Sequence, residues 1–165
     1  MTNYVPSTYI IAEAGVNHNG QLDLALQLID AAAEAGADAI KFQTFKADKL
    51  TSVNLKKAAY QKKNTGVDES QHEMLAALEM PESWHHTLKK HAAACGIDFL
   101  STAFDEESLA LLQALDLPYY KISSGELTNA PLLWRFSKLN KPLILSTGMG
   151  TLSEVEQALA VIAHG

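Results

Sequence analysis

An α/β fold built on parallel strands is predicted by two features of the sequence. Five short apolar segments recur along the chain, and each is nearly continuous rather than alternating, which is typical of parallel strands covered by helices. Helical patterns separate these segments, and strand–helix alternation of this kind predicts parallel strands joined by right-handed crossovers. The five predicted strands are residues 9–16, 38–45, 98–104, 119–126 and 142–149.

Two architectures are compatible with five such units. A closed (β/α)8 barrel takes roughly 250 residues, whereas this chain has 165. We therefore expect either an open doubly wound sheet or the first five units of a barrel of the TIM type. Strand order separates the two, because a doubly wound sheet reverses its order at a switch point.

The predicted helices carry start and stop signals. In residues 21–37 the apolar side chains recur at i, i+3, i+4 and i+7, and Gly36 follows where a C′ glycine ends a helix. Pro81 matches the first-turn proline of another helix, which Gly96 closes.

A long insertion interrupts the regular alternation of predicted strands and helices. Residues 46–80 separate the second strand from its helix, and a segment of that length in a compact domain is usually functional or partly disordered. Ser70 and Glu73 have the spacing of a capping box and predict a short helix inside the insertion. Thr151 and Glu154 repeat that spacing at the start of the last helix.

Composition excludes several classes of protein. Hydrophobic residues make up 47% of the chain, as expected for one domain with a packed core. The net charge is −6 and no block of Lys and Arg occurs, which argues against a nucleic-acid or anionic membrane surface. Cys95 is the single cysteine, and we find neither a signal-peptide pattern nor an apolar run near 18 residues. We expect a soluble, cytoplasmic protein.

Polar side chains cluster where each predicted strand ends, which is where parallel α/β folds place their chemistry. Lys41 and Gln43 are two residues apart and therefore share one face of their strand. Lys121 and Ser124 have opposite parity, so both reach one site only if the strand ends or bulges between them. The residues concerned are Glu13, Asn17 and His18; Lys41 and Gln43; Thr102 and Phe104; Lys121, Ser123, Ser124 and Glu126; and Ser146, Thr147 and Gly148.

Each signal has a purely structural interpretation when it is taken alone. Lys41 could pair with a neighbouring helix, Glu13 could be a paired structural carboxylate, and His18 could be a turn residue. The remaining histidines of interest are expected on a solvated helix face, where adjacent residues point apart; they are His85, His86 and His91.

Taken together, these residues indicate an anion site. Two lysines buried in strands cost several kcal/mol each unless anions meet them. Phosphate favours cationic side chains, hydroxyl donors and backbone N–H groups at loop or helix starts. The strand ends and the "STGMG" turn supply all three. We therefore expect a small phosphorylated or carboxylated substrate.

Seven stretches, in the same order along the chain, resemble the sialic acid synthase family. That resemblance implies condensation of phosphoenolpyruvate with N-acetylmannosamine to give N-acetylneuraminate and phosphate. It also implies a (β/α)8 barrel followed by an antifreeze-like domain, in a homodimer; residues 1–165 match the N-terminal barrel part, and the antifreeze-like domain is absent from this chain. The stretches are "IIAEAGVNHNG", "GADAIKFQTF", "YQKKNTG", "QHEMLAALEM", "FLSTAFD", "YYKISSGEL" and "LILSTGM".

The resemblance assigns roles by position. Residues similar to the family's phosphoenolpyruvate-binding groups are Lys41, Thr102, Lys121, Ser124 and Ser146. Residues similar to groups around phosphoenolpyruvate and the sugar are Glu13, Gln43, Phe104 and Glu126. Lys41 and Lys121 are expected to stabilise charge in catalysis, and Glu13 to transfer a proton or orient water. The family's Mn or Mg ion is held by two histidines from strands beyond Gly165, so no metal ligand is expected in this chain.

Three alternatives accompany this interpretation. Legionaminate synthases share the motifs but use a 2,4-diacetamido sugar. A class I aldolase would use Lys41 or Lys121 as a Schiff-base nucleophile. An incomplete barrel would be inactive alone and would associate through open strand edges and apolar surface.

Overall fold

The computed structural model describes residues 8–51 and 70–165. The centre of the 46–80 insertion, with its "YQKKNTG" motif, lies outside the described residues. Five strands are present: β1 (Ile11–Gly15), β2 (Ala39–Thr44), β3 (Asp98–Ala103), β4 (Tyr120–Ile122) and β5 (Leu143–Leu145). The helices are α1 (Leu22–Glu34), α2 (Ala47–Leu50), α3 (Gln71–Leu78), α4 (Glu82–Ala94), α5 (Glu106–Ala114), α6 (Ala130–Ser137) and α7 (Leu152–His164), with a 3₁₀ turn at Ser124–Glu126.

The strand order decides between the two architectures. The sheet runs β1-β2-β3-β4-β5, and every neighbouring pair is parallel. A doubly wound sheet would reverse its order, whereas successive strands of a barrel are laid down in sequence. The fold is therefore of the (β/α)8 type, and residues 8–51 and 70–165 contain five of its strands.

The core lies between the sheet and the helices that cover it. In β2 the side chains of Ile40, Phe42 and Thr44 are buried, whereas the alternate Lys41 and Gln43 are partly exposed. This alternation follows from the two-residue period of a strand: one face packs on helices and the other faces the barrel axis.

The helix ends follow the local signals. Both capping boxes form, with the Ser70 and Thr151 side chains accepting from the backbone N–H groups of Glu73 and Glu154. Each hydroxyl and its partner carboxylate thus satisfy helix-end donors reciprocally. Pro81 differs by one residue from the prediction, because it is the N-cap with extended backbone and the helix begins at Glu82.

Gly20 is required by the turn that follows β1. Asn19 and Gly20 both have positive φ, 48° and 70°, and the N–H of Gln21 donates to the carbonyl of His18 over 2.9 Å. Two left-handed central residues define a type I′ turn, for which Asn-Gly is the favoured pair.

The prediction of a solvated face for the helix-α4 histidines is wrong for His85. Its side chain is fully buried, and its Nδ1 lies 3.2 Å from the carbonyl oxygen of Pro81. Nδ1 therefore carries the proton, and Nε2 accepts from the Thr44 hydroxyl over 2.9 Å. Thr44 in turn lies 2.7 Å from the Ser101 hydroxyl. Burial lowers the pKa of His85, so this histidine is a neutral structural link between sheet and helix.

None of the helices within residues 8–51 and 70–165 has the length and apolar character needed to cross a bilayer.

Candidate active site

The register of the sheet brings the predicted side chains to one surface. Glu13 is paired with Lys41, Gln43 with Thr102, and Thr102 with Lys121. Paired residues in a parallel sheet point to the same face, and adjacent strands lie about 4.8 Å apart. These five side chains therefore form one continuous patch on the axis-facing side, near the carboxyl ends of the strands.

Lys41 is anchored by Glu13. The ammonium group and the carboxylate form an ion pair across β1 and β2, and the Lys41 side chain is only 12% exposed, against 53% for Glu13. The expected structural partner, a neighbouring helix, is thus replaced by a strand residue of the same site. The pair holds the lysine in place and leaves a Glu13 oxygen in contact with solvent.

Lys121 has no such partner. Its Nζ donates to the carbonyl oxygen of Ile122 over 2.7 Å, and among the described residues no carboxylate forms an ion pair with it. The pKa of Lys121 is lowered, first by burial and then by the charge of Lys41, while Glu13 acts in the opposite direction. The two ammonium groups therefore sense each other, and the site carries cationic charge that an anion would relieve.

Thr102 lies between the two lysine-bearing strands. It is 2% exposed, and its Oγ1 has no hydrogen-bond partner among the described residues. Buried hydroxyl groups are normally satisfied, and an unsatisfied one costs about 1–3 kcal/mol. Thr102 therefore offers a buried hydroxyl without a protein partner among the described residues, on the strand between those of Lys41 and Lys121.

The end of β4 resolves the parity of Lys121 and Ser124. The strand stops at Ile122, and the 3₁₀ turn Ser124–Glu126 follows. Ser124 Oγ reaches the β5 loop, where it lies 3.6 Å from the position of a Cβ built on Gly148. Ser146 sits at the same end, with its N–H donating to the Ile122 carbonyl over 3.1 Å. The end of β4 therefore brings Ser124 next to the β5 loop, and Ser146 follows the adjacent strand end.

Phe104 and Glu126 differ from their expected setting, whereas Gln43 keeps it. Phe104 does not continue β3, because the strand ends at Ala103, and its N–H donates to the Thr44 carbonyl over 3.3 Å. Glu126 accepts from the Asn129 side chain over 2.7 Å, and no described lysine forms an ion pair with it. Gln43 remains on the axis face and lies beside Gly15, 3.6 Å from a Cβ built there.

Residues that support this rim were not singled out from the sequence. Asp105 caps α5 and also accepts from the N–H of Lys46 over 2.9 Å. Lys46 Nζ donates to Glu79 over 2.8 Å. These contacts tie the loop after β2 to the loop after β3 and to the end of α3. The aspartate three residues before Ser108 is a local capping signal, but its contact with Lys46 has no signature in sequence.

The strand ends hold no metal-binding set within residues 8–51 and 70–165. No three His, Cys, Asp or Glu side chains converge there. His18 is buried and accepts from the N–H of Gly20 over 3.1 Å through Nδ1, so it serves the turn. The donor set that the described residues give this rim does not fit a divalent ion.

Comparison with known proteins agrees with this arrangement. The model of the NeuB family matches residues 28–165. The chain is 56% identical to N,N'-diacetyllegionaminic acid synthase of Campylobacter jejuni, covering 94% of this chain and 46% of that protein. It is 51% identical to the Legionella pneumophila enzyme of the same name, covering 93% and 43%. The chain thus spans less than half the length of these relatives.

Solved structures extend the likeness to the fold. The N-acetylneuraminic acid (sialic acid) synthetase from Leptospira borgpetersenii, solved in complex with citrate, superposes with a TM-score of 0.80 at 31% identity, covering 96% of this chain and 50% of that one. With 138 of 165 residues inside the family model, this chain belongs to the NeuB family.

Proposed function

We propose that the protein containing this chain condenses phosphoenolpyruvate with an N-acylated amino sugar to form a nonulosonic acid and phosphate. The observation that carries the proposal is the unpartnered Thr102 hydroxyl in the same patch as Lys41 and Lys121. Phosphoenolpyruvate is a small anion with a phosphate and a carboxylate, and it would satisfy the hydroxyl and both ammonium groups at once.

The proposed roles of the rim residues come from the family resemblance, and the shared face of the strand residues supports them. Lys41, Lys121 and Thr102 bind the anionic groups of phosphoenolpyruvate from the sheet, while Ser124 and Ser146 contribute hydroxyls from the β4 and β5 ends. Lysines fixed against phosphate and carboxylate also orient the substrate, and positioning with electrostatic stabilisation dominates catalysis of this kind. Residues assigned to the surroundings of phosphoenolpyruvate and the sugar are Gln43, Phe104, Glu126 and Glu13.

Glu13 is the residue to which we assign proton transfer in this proposal. Carbon C3 of phosphoenolpyruvate attacks the aldehyde carbon of the open-chain sugar, and water adds to the resulting cation at C2. The Glu13 carboxylate, held by Lys41 and partly exposed, accepts the proton of that water. The same proton ends on the former aldehyde oxygen, which becomes a hydroxyl group. The tetrahedral intermediate then loses phosphate by C–O cleavage, and Lys121 stabilises the departing charge.

The sugar is best assigned as the 2,4-diacetamido sugar that leads to legionaminate. Identity is 56% and 51% with two N,N'-diacetyllegionaminic acid synthases, against 31% with the Leptospira sialic acid synthetase. N-acetylmannosamine, which would give N-acetylneuraminate, is the second candidate because the structural likeness to that synthetase has a TM-score of 0.80.

The test is an assay of the full-length protein with phosphoenolpyruvate and each sugar separately, in the presence of Mn or Mg. We expect phosphate release to depend on the sugar and kcat/KM to be higher for the 2,4-diacetamido sugar. Equal or higher kcat/KM with N-acetylmannosamine would reverse the sugar assignment. Absence of phosphate release with both sugars would contradict the proposed reaction.

A class I aldolase remains the competing enzyme, because the lowered pKa of Lys121 is a property that Schiff-base lysines share. Incubation with pyruvate and borohydride tests it directly by mass spectrometry. We expect an unmodified mass, and a covalent pyruvyl adduct on Lys41 or Lys121 would favour the aldolase.

The remaining implications of the family concern the whole protein. We propose later barrel strands that supply the metal-binding histidines, a C-terminal antifreeze-like domain, a homodimer and a cytoplasmic location. Residues 1–165 expressed alone are accordingly expected to have little or no synthase activity. Robust product formation by that piece with added metal would contradict this expectation.

A further inference from the structure

Asp30, His91 and Cys95 form a compact group on the helical layer. His91 Nε2 lies 2.6 Å from Asp30 Oδ1, and Cys95 Sγ lies 3.5 Å from the same oxygen. One ligand atom from each residue falls within 4.8 Å of the other two. Cys95 is a free thiol, and all three side chains are at least partly accessible to solvent.

This group lies far from the proposed active site in the architecture of the fold. Helices of a βα unit begin near the carboxyl ends of the strands and run back towards the amino ends. Asp30 is among the last residues of α1, and His91 and Cys95 are at the end of α4, which packs against α1. The group is therefore at the opposite end of the sheet from Lys41 and Lys121.

The side chains suit a borderline divalent ion. Imidazole nitrogen, thiolate sulfur and carboxylate oxygen are the three ligand types of zinc sites, and residues four apart on a helix face the same side. Ligands about 2.0–2.3 Å from a tetrahedral zinc ion lie about 3.3–3.7 Å from one another. The Cys95–Asp30 separation already has that value, and His91 and Asp30 need to move apart by about 0.7 Å.

We propose that Asp30, His91 and Cys95 bind Zn²⁺ or a chemically similar ion, with water in the fourth position. Binding displaces the thiol proton of Cys95 to solvent. It also moves the imidazole proton of His91 from Nε2, where it is shared with Asp30, to Nδ1, so that the free Nε2 lone pair binds the ion. The hydrogen bond between His91 and Asp30 is thus replaced by two bonds to the ion. The ion then links α1 to α4. Its role is to stabilise these two helices, since no substrate-binding residue lies among its ligands.

The alternative is that the group is only a surface ion pair. An exposed pair of this kind contributes about 0–1 kcal/mol, needs no thiol, and would be unaffected by a metal. The thiol therefore distinguishes the two explanations, because a thiolate bound to Co²⁺ produces a charge-transfer absorption band in the near ultraviolet that an Asp–His pair cannot produce.

The test is titration of the full-length, metal-stripped protein with Co²⁺, followed by displacement with Zn²⁺. We expect one equivalent with the thiolate band, loss of that band in Cys95→Ser, and at least about tenfold weaker binding in His91→Gln. His86→Gln is the matched control, because His86 is exposed on the same helix and lies outside the group. It should bind Co²⁺ like the unmodified protein.

Two further readouts keep the proposal separate from the proposed synthase activity. Zn²⁺ should raise the melting temperature of the unmodified protein and of His86→Gln by the same amount. The rise should be smaller in Cys95→Ser. Turnover under saturating Mn or Mg should be equal in all of these folded variants. A missing thiolate band, or a band retained in Cys95→Ser, would overturn the site whether or not the synthase reaction is found.

Discussion

Replacing Thr102 by valine separates folding from ligand binding. In the free protein its buried Oγ1 has no partner among the described residues, and an unsatisfied buried hydroxyl costs about 1–3 kcal/mol. Valine has nearly the same shape and no polar atom to satisfy. We therefore expect Thr102→Val to raise the free energy of unfolding by about 1 kcal/mol, which shifts the melting temperature by about 2–4 °C in a domain of this size.

Binding should change in the opposite direction. A hydrogen bond to a charged group contributes about 1.5–3 kcal/mol. Losing the Thr102 donor should therefore weaken the binding of phosphoenolpyruvate by about 10- to 100-fold. The assays are thermal unfolding of the ligand-free full-length protein and calorimetric titration with phosphoenolpyruvate. Together they predict a variant that is more stable when empty and less stabilised by its ligand.

Thr44→Val is the matched control. Thr44 is also a buried threonine, on the adjacent strand, but its hydroxyl is bonded to His85 and Ser101 on the helix-facing side. Its loss leaves two buried polar atoms short of a partner and should destabilise by about 1–3 kcal/mol, with intrinsic phosphoenolpyruvate affinity retained. If Thr102→Val destabilises as Thr44→Val does, or binds phosphoenolpyruvate unchanged, Thr102 is not a ligand-binding hydroxyl.

Three further predictions concern pH and backbone strain. Because the pKa of Lys121 is lowered from 10.5, phosphoenolpyruvate affinity should fall as the pH rises through that lowered value. Calorimetry should show this decline in the unmodified protein, whereas Lys121→Met should bind phosphoenolpyruvate more weakly at every pH and show no such decline. An identical decline in the variant would contradict the assignment. The pKa of His85 is lowered from 6.5, so the unfolded chain binds a proton that the folded chain does not. Stability should therefore be lost as pH falls through about 6.5, by at most about 1.4 kcal/mol per pH unit for this one group. The free energy of unfolding, measured with urea at several pH values, should depend less steeply on pH in His85→Gln. An unchanged pH dependence would refute the prediction. Gly20→Ala places a Cβ 2.6 Å from the carbonyl oxygen of Ala77 at a φ of 70°, and should cost about 2–3 kcal/mol. Gly36→Ala has a similar φ of 79°, but no heavy atom lies within 4 Å of the added Cβ. It should cost only about 1 kcal/mol in the same thermal assay. Equal losses in the two variants would show that the contact with Ala77 does not destabilise Gly20→Ala.

Local patterns were sufficient for the alternation of strands and helices, for the capping boxes, and for the shared face of Lys41 and Gln43, but they placed the ends of β4 and β5 too late. The capping boxes at Ser70 and Thr151 form as their spacing predicts, because both partners lie within one helical turn. Lys41 and Gln43 share a face because strand geometry has a period of two. The opposite parity of Lys121 and Ser124 set a condition for a shared site, that the strand ends or bulges between them, and β4 does end at Ile122, before the predicted end at residue 126.

Only tertiary structure decided what depends on contacts between distant segments. The sequential strand order separates a barrel-type sheet from a doubly wound one. His85, on helix α4, is buried against the sheet, where it is bonded to Thr44, and Thr44 in turn is bonded to Ser101. Glu13, rather than a helix, pairs with Lys41, and Asp30 meets His91 across 61 residues of chain. Periodicity and capping act over a few residues and are written in the sequence, whereas the partner of a buried polar group is set by which segments the sheet places side by side.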